Sequence, residues 1–259
     1  MLKYRSFGIV IIALYGLIAW TSFFYKLPFI LYCLPALVFT GVAFWGSYSI
    51  GSCFYLPVQT AGKTQKNIVS ITFDDGPDPQ VTPALLELLR KHKVAATFFC
   101  IGKKVEKHPE ILKQIAEEGH ILGNHSYSHS PWLPFFPKKK LEKELKKTDL
   151  LIEVAAGVKP RLFRPPFGVT SPQYAKANKK PQYHFIGWNI RSLDTVDKNK
   201  ERVLDRITKD IPKGAIFLFH DTDFRVLELV EQLLNYVAKN GIIVVPLDEL
   251  LNIDVYEKR

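Results

Sequence analysis

Acidic residues are absent from the chain before Asp74, and only five basic residues precede that position. Two runs within this stretch, Phe7–Tyr25 and Phe29–Trp45, contain no charged residue at all. Each run approaches the ~20 apolar residues that a helix needs to cross a bilayer. Because Lys26-Leu27-Pro28 separates the runs, we expect one or two membrane helices within residues 1–47.

A cleaved signal peptide is the alternative reading of the first run. Lys3 and Arg5 provide the basic start of such a peptide, but the apolar part exceeds the usual ~7–15 residues. No small-residue cleavage site follows Ala19. We therefore expect an uncleaved membrane anchor.

Cysteine is also scarce, with three residues in 259. Cys33, Cys53 and Cys100 are widely spaced and form no Cys-x-x-Cys pair. This spacing gives neither a disulfide framework nor a cysteine-based zinc knuckle.

The net charge of +10 raises the question of nucleic-acid binding. Half of this excess lies before Asp74, and the remaining basic residues are scattered without stacking aromatics among them. Attraction to anionic lipid head groups accounts for the charge at least as well. We expect a membrane partner and no nucleic acid.

Residues 48–66, rich in small and polar side chains, are predicted to form a linker. From Asn67 onward, β-branched and aromatic runs alternate with segments of helical periodicity. Such alternation predicts an α/β fold, in which a parallel sheet covered by helices is open or closed into a barrel. The predicted strands are 68–73, 94–101, 121–123, 161–164, 184–188, 215–219 and 242–246.

Two carboxylates, Asp74 and Asp75, stand at the end of the first predicted strand, before Gly76-Pro77. Adjacent like charges disfavour ionisation of both groups, and a bound cation removes that cost. One carboxylate can then bind a metal while the other handles protons. A solvated turn is the simpler alternative, since Asp and Gly are common turn residues.

His125 and His129 follow the third predicted strand and share one face if the segment is helical. Alone, this spacing is weak evidence for a metal site. A carboxylate with two imidazoles, however, gives three ligands and leaves positions open for water and substrate, as catalytic zinc requires.

Arg164 ends the next strand and precedes two prolines, so its charge needs a carboxylate partner. His220 lies at the end of another apolar strand, where an imidazole suits proton transfer near neutral pH. Each residue alone is as well explained by a structural role.

The sequence contains four motifs that resemble, in order, those of NodB-type polysaccharide deacetylases, carbohydrate esterase family 4. These are Thr72-Phe73-Asp74-Asp75-Gly76-Pro77, His125-Ser126-x-x-His129, Arg164-Pro165-Pro166-Phe167-Gly168 and Leu218-x-His220. The resemblance covers about Asn67 to Leu251. It implies a distorted (β/α) barrel of about seven units that removes acetyl groups from sugars with a divalent metal, commonly zinc.

Carried over residue by residue, the resemblance assigns Asp74 as the catalytic base and His220 as the general acid. It implies that Arg164 pairs with the base and that the backbone N–H of Phe167 contributes to an oxyanion hole. Leu218 would line the pocket for the acetyl methyl group. The implied metal ligands are Asp75, His125 and His129.

One motif departs from the family pattern of Asp-x-x-Asp-Trp after the fifth strand. Asp194 is retained and is expected to orient His220, whereas Arg191 and Thr195 replace the other two residues. This change alters one wall of the expected sugar pocket, so it affects the predicted substrate more than the predicted reaction. Aromatic residues that could supply the missing ring are Trp188, Trp132, Phe135 and Phe136.

The resulting hypothesis is a membrane-anchored, metal-dependent deacetylase of an N-acetylated glycan such as peptidoglycan or a chitin-like polymer. Alternatives are a deacetylase of a lipid-linked or small acetylated sugar and a non-catalytic carbohydrate-binding barrel. Zinc is favoured, although imidazole and carboxylate also suit cobalt, nickel or iron.

The expected location is the cell membrane. If both runs span it, Lys3 and Arg5 against the single Lys26 favour a cytoplasmic domain. A cell-wall polymer lies on the other side, and this substrate leads us to expect an outward-facing catalytic domain.

Overall fold

The computed structural model describes residues 3–178 and 182–258, so residues 1, 2 and 259, which bound two predicted segments, lie outside the described part. The α-helices are α1 Tyr4–Thr21, α2 Ile30–Tyr48, α3 Val81–His92, α4 Gly102–Lys107, α5 Pro109–Glu117, α6 Lys138–Ala156, α7 Pro172–Ala177, α8 Lys200–Thr208, α9 Arg225–Lys239 and α10 Leu247–Leu251. The strands are β1 Ile68–Asp74, β2 Thr97–Cys100, β3 Ile121–Asn124, β4 Leu162–Phe163, β5 His184–Phe185, β6 Ile190–Arg191, β7 Ile216–His220 and β8 Ile243–Val244.

The strands form one parallel sheet in the order β5-β4-β3-β2-β1-β7-β6, with β8 also paired to β1. β1 lies at the centre and pairs with β2, β7 and β8, with β7 and β8 on opposite sides. Helices connect most of the strands, and the sheet curls into the distorted (β/α) barrel that the sequence predicts. All carboxyl ends of the strands therefore point to the same edge.

The core follows from the apolar periodicity of strands and helices. Phe73 of β1 stacks on Phe98 of β2, with ring centroids 5.1 Å apart, and both rings are buried. The helix α9 buries a continuous apolar face against the same sheet. Its buried residues recur at helical spacing: Val226, Leu229, Val230, Leu233, Leu234 and Val237.

One short strand was not predicted. β6, Ile190–Arg191, pairs with Phe217 and Leu218 of β7 in the stretch that the sequence indicates as a loop. Two residues are too few to show an alternating pattern, so only the pairing itself identifies this strand. Because only Ser192 and Leu193 separate Asp194 from β6, the strand fixes where that carboxylate lies.

At the amino terminus, α1 and α2 form a helical hairpin, and both helices are long and apolar enough to cross a membrane by length and composition. The start of α1 contacts the rest of the chain, since the Tyr4 N–H donates to the Phe54 carbonyl at 3.0 Å. The end of α2 does so as well, through the Thr170 N–H and the Ser47 carbonyl at 2.9 Å. The start of α1 therefore contacts the segment that precedes the barrel, and the end of α2 contacts the barrel itself.

The segment predicted as a linker packs onto the domain. Gln59 forms a parallel bridge to Ile186, and Ala61 forms an antiparallel bridge to Ala215. The side chains of Leu56 and Val58 are buried. These contacts hold the helical hairpin close to the barrel.

Candidate active site

Asp74 and His220 end the neighbouring strands β1 and β7 and face each other in register. Side chains two residues apart on a strand share a face. Asp74 therefore lies on the same side as Thr72, and His220 on the same side as Leu218. The pairing of β1 with β7 thus places a carboxylate and an imidazole side by side at the carboxyl edge of the sheet.

Arg164, after β4, is completely buried and holds Asp74. Its Nη1 donates to Asp74 Oδ1 and to Thr72 Oγ1, both at 2.7 Å, and its Nη2 donates to the Gly187 carbonyl at 2.9 Å. The guanidinium also lies 4.1 Å from the centre of the Phe99 ring. Burial lowers the pKa of Arg164, but the neighbouring Asp74 carboxylate opposes this effect.

A second cluster lies beside this pair and consists of Asp75, His125 and His129. Asp75 Oδ1 is 3.1 Å from His129 Nε2 and 3.5 Å from His125 Nε2. One potential ligand atom from each residue lies within 4.8 Å of the others. One carboxylate oxygen and two imidazole nitrogens therefore converge on a common point.

The donor set of this cluster suits a divalent cation. His125 Nδ1 lies 2.7 Å from the Arg164 carbonyl, so the N–H belongs on Nδ1 and leaves Nε2 free to bind a metal. Asp75 Oδ1 is buried and has no hydrogen-bond partner among the described residues. The residues present thus fit the group that the sequence resemblance implies.

The protonation states of Asp75 and His129 also favour metal binding. Burial raises the pKa of Asp75, but the nearby imidazoles of His125 and His129 hold it well below its ordinary value. Burial and the neighbouring His125 lower the pKa of His129 to about 4. An ionised carboxylate and a neutral imidazole are the forms that bind metal.

The spacing of the two histidines favours a shared helical face. In the structure, a loop and not a helix brings the two rings together. The loop after β3 turns through left-handed backbone conformations at Ser126 (φ 64°) and His129 (φ 49°). Asn124 Oδ1 accepts the Ser126 N–H at 2.8 Å, and Ser126 Oγ accepts the His129 N–H at 3.1 Å. These bonds fold the loop so that both rings turn toward Asp75.

Asp194 holds His220 from the side of β6. Asp194 Oδ1 lies 2.8 Å from His220 Nδ1, and Oδ2 accepts the His220 backbone N–H at 2.8 Å. Burial by itself lowers the pKa of His220, but the hydrogen bond and charge of Asp194 raise it above its ordinary value. The imidazolium form, which can donate a proton, is thereby favoured.

Phe167 also adopts a left-handed conformation (φ 59°), and its ring centre lies 4.7 Å from that of His129. The next residue, Gly168, needs to be glycine because a Cβ there would clash with the Trp188 ring. The Trp188 side chain lies 5.8 Å from the Arg191 guanidinium. Trp188 and Arg191 therefore form one wall beside the turn that contains Phe167.

The remaining predicted residues are placed as follows. Leu218 is buried on β7, on the same face as His220. Thr195 is exposed. Phe135 and Trp132 are exposed on the loop that follows the histidines, with their rings 6.3 Å apart, and Phe136 carries the Lys140 ammonium over its ring.

Sequence reasoning missed residues that act through others. Thr72 supports Arg164, and Ser192 Oγ donates to Asp194 Oδ1 at 2.8 Å. Asp221 is fully buried, accepts from Thr82 Oγ1 at 2.6 Å and packs so closely on Gly76 that a Cβ there would clash. The signal that the sequence offered was their position within or beside the motifs.

The match to a family model described as "Polysaccharide deacetylase" covers residues 61–186. A peptidoglycan-N-acetylglucosamine deacetylase of Bacillus cereus is 34% identical over 162 residues, which are 62% of this chain and 58% of that protein. A second Bacillus cereus protein of the same name is 34% identical over 191 residues, or 72% of this chain and 89% of its own length.

A solved structure from Bacillus anthracis, described as a family 4 carbohydrate esterase pseudoenzyme, superposes with a TM-score of 0.70 at 29% identity. The match covers 75% of this chain and 68% of that one. The barrel is therefore shared with a relative described as a pseudoenzyme, as well as with the deacetylases.

Proposed function

Because the chain belongs to the polysaccharide deacetylase family, carbohydrate esterase family 4, we propose that it is a metal-dependent hydrolase of N-acetylated sugars. The bond cleaved is the amide bond of the acetamido group in a glycan of the peptidoglycan or chitin-like type. The observation that supports this most is the register of Asp74 and His220 beside the cluster of Asp75, His125 and His129.

Asp75, His125 and His129 would hold the divalent cation, for which zinc is our first choice. When bound, such an ion supplies Lewis-acid activation of the carbonyl group and of the attacking water.

The protein's own groups carry the proton transfers. Asp74 Oδ2 accepts the proton of the attacking water, while Arg164 fixes Oδ1 and so orients the carboxylate. The Phe167 backbone N–H donates to the oxygen on which negative charge develops. His220 donates a proton to the departing amine, and Asp194 stabilises the imidazolium before that step.

A non-catalytic carbohydrate-binding barrel is the rival from a different class, and a family relative is described as a pseudoenzyme. Loss of a metal ligand, the base or the acid would favour it. All of these residues are present here, with the base and acid each bonded to a partner of opposite charge. This completeness supports catalysis.

The decisive experiment measures acetate released from a panel of acetylated glycans. The panel contains peptidoglycan, chitin oligomers and acetylated xylan, each with and without a chelator. We expect release from an N-acetylated substrate, loss with the chelator and recovery on adding zinc. Absence of release from every substrate in the presence of zinc, together with retained sugar binding, would favour the non-catalytic barrel.

We further propose that α1 and α2 anchor the enzyme in the cell membrane with the catalytic domain outward. Peptidoglycan, which the named relatives act on by their descriptions, supports that side. A second candidate, deacetylation of a lipid-linked sugar, is favoured by the position of α2 beside Phe167.

A further inference from the structure

An apolar groove of about 780 Å³ lies between α2 and the catalytic domain. Phe39, Phe44 and Tyr48 of α2 form one wall. The loops after β3 and β4 form the other wall, with Phe135 and Phe167 among their residues. None of the residues that line the groove is charged.

The groove reaches the catalytic centre through Phe167. The ring of this residue lines the groove and lies 4.7 Å from the ring of His129. At the other end the groove reaches Phe39, near the middle of α2. Phe39 and Tyr48 are nine positions apart on the helix, a distance of about 14 Å along its axis. The groove thus extends from the Phe167 ring beside His129 to the middle of a helix that is long enough to cross a bilayer.

The loop beside the groove has the character of a membrane-contacting surface. Trp132 and Phe135 are exposed there. Three lysines that are also exposed follow at the start of α6, namely Lys138, Lys139 and Lys140. Aromatic rings favour the interface of a bilayer, and lysines are attracted to anionic head groups. These features suit a surface that contacts lipid head groups, and Phe135 of the same loop lines the groove.

We propose that this groove binds the hydrocarbon chain of a lipid-linked, N-acetylated sugar and presents its head group to Asp74 and His220. This inference rests on the proposed deacetylase activity and names the form of its substrate. A hydrocarbon chain fits an uncharged, aromatic-lined groove because burying it requires no polar partners. Since α2 is one wall, the chain can enter from the bilayer without crossing water.

The test uses the full chain in lipid nanodiscs and two substrates with the same head group. In one, N-acetylglucosamine is joined through a diphosphate to a farnesyl chain, and in the other a methyl group replaces that chain. Acetate release gives kcat/KM for each. We expect the farnesyl substrate to be favoured by about tenfold or more, since burying two methylene groups already supplies that factor.

Matched variants separate the groove from simple partitioning into the bilayer. Phe44 lines the groove and Trp45 does not, although both are exposed on the same helix, at 63% and 52%. We expect Phe44→Ser to lose most of the farnesyl preference through a higher KM, and Trp45→Ser to keep it. Val169→Ser, from the opposite wall, should behave like Phe44→Ser. Unchanged turnover of the methyl substrate shows that each variant is folded.

An equal kcat/KM for the two substrates would overturn the inference. A farnesyl preference that survives unchanged in Phe44→Ser and Val169→Ser would also overturn it, because the chain would then act only by partitioning. Failure of the proposed function has a different signature. In that case the wild type releases no acetate from either substrate or from soluble chitin oligomers.

Discussion

Asp74 and Asp75 are chemically identical neighbours that differ in their partners. Asp74 shares a hydrogen bond with a buried guanidinium, whereas Asp75 faces two imidazole nitrogens that leave its Oδ1 without a hydrogen bond. The sequence indicated that one carboxylate binds metal and the other moves protons. From the residues alone it could not say which, because strand direction and the turn at Asp75 (φ 74°) decide the direction of each side chain.

Substitution of the two positions should separate these roles. Asp74→Asn should retain one equivalent of zinc and lose on the order of 10²–10⁴-fold in kcat, since a general base contributes that much. His125→Ala should lose both tight zinc binding and activity. Metal content by elemental analysis and acetate release measure the two effects.

His108→Ala is the matched control, because this histidine directly precedes α5 and its ring lies 3.7 Å from the exposed Glu110 carboxylate. It should keep both zinc and turnover. Zinc lost from Asp74→Asn but retained in Asp75→Asn would reverse the assignment of the pair.

The proposed general acid, His220, should determine the basic limb of the pH dependence of kcat/KM. His220 must be protonated to act, and its raised pKa extends activity to higher pH. Asp194→Asn removes the negative charge that favours the imidazolium, so the apparent pKa of the basic limb should fall. Asp197→Asn, which alters a carboxylate paired with Arg206, should leave that limb in place. A basic limb that does not move in Asp194→Asn would mean that this carboxylate serves structure or substrate instead.

At the scale of elements, the sequence predicted the long strands and the residues at their ends. β1 and β7 have continuous apolar runs, and their ends coincide with Asp74 and His220. It did not predict that β7 lies next to β1, because the pairing of strands far apart in sequence leaves no local pattern. The two-residue β6 and the left-handed turns at Ser126 and His129 were missed for a similar reason. Their stability comes from tertiary contacts rather than from local propensity.

One such contact joins three elements behind the histidine loop. Asp149 of α6 accepts from Asn124 Nδ2 of β3 at 2.7 Å and from the hydroxyl of Tyr183, which directly precedes β5. Asp149 and Asn124 are buried, and Asn124 also bonds the loop at Ser126. This network therefore couples the packing of α6 to the position of His125.

Tyr183→Phe should lower the free energy of unfolding by about 1–3 kcal/mol, because it removes a partner from a buried carboxylate. Urea denaturation followed by circular dichroism measures the change. Tyr236→Phe, at a position that is 39% exposed, is the control and should change stability by less. Equal stability of the two variants would show that the Tyr183 hydroxyl contributes little to the network.

At the scale of the whole molecule, the helical hairpin is packed against the barrel through residues 48–66. The sequence separated an apolar amino-terminal part from an α/β domain, with residues 48–66 expected as a linker. The packing of this segment was not foreseen, because its small and polar residues resemble those of a free tether. Phe54, buried against Phe7 and Ile11 of α1, shows how the segment joins the two parts. The docked hairpin places α2 beside Phe167, and both line the groove.

The hairpin also relates the side of the membrane on which the amino terminus lies to the side on which the catalytic domain lies. Since Tyr4 bonds to Phe54, the amino terminus and the catalytic domain lie on the same side if both helices span. Lys3 and Arg5 against Lys26 favour the cytoplasm for both, whereas a peptidoglycan substrate requires the outer face. The charge difference rests on few residues, and we expect the substrate to decide. A carboxyl-terminal alkaline phosphatase fusion, active only when exported, should therefore be active. An inactive phosphatase fusion together with an active cytoplasmic reporter at the same position would place the domain inside. The substrate would then be a sugar assembled on a lipid carrier at the cytoplasmic face, a form that the groove along α2 also accommodates.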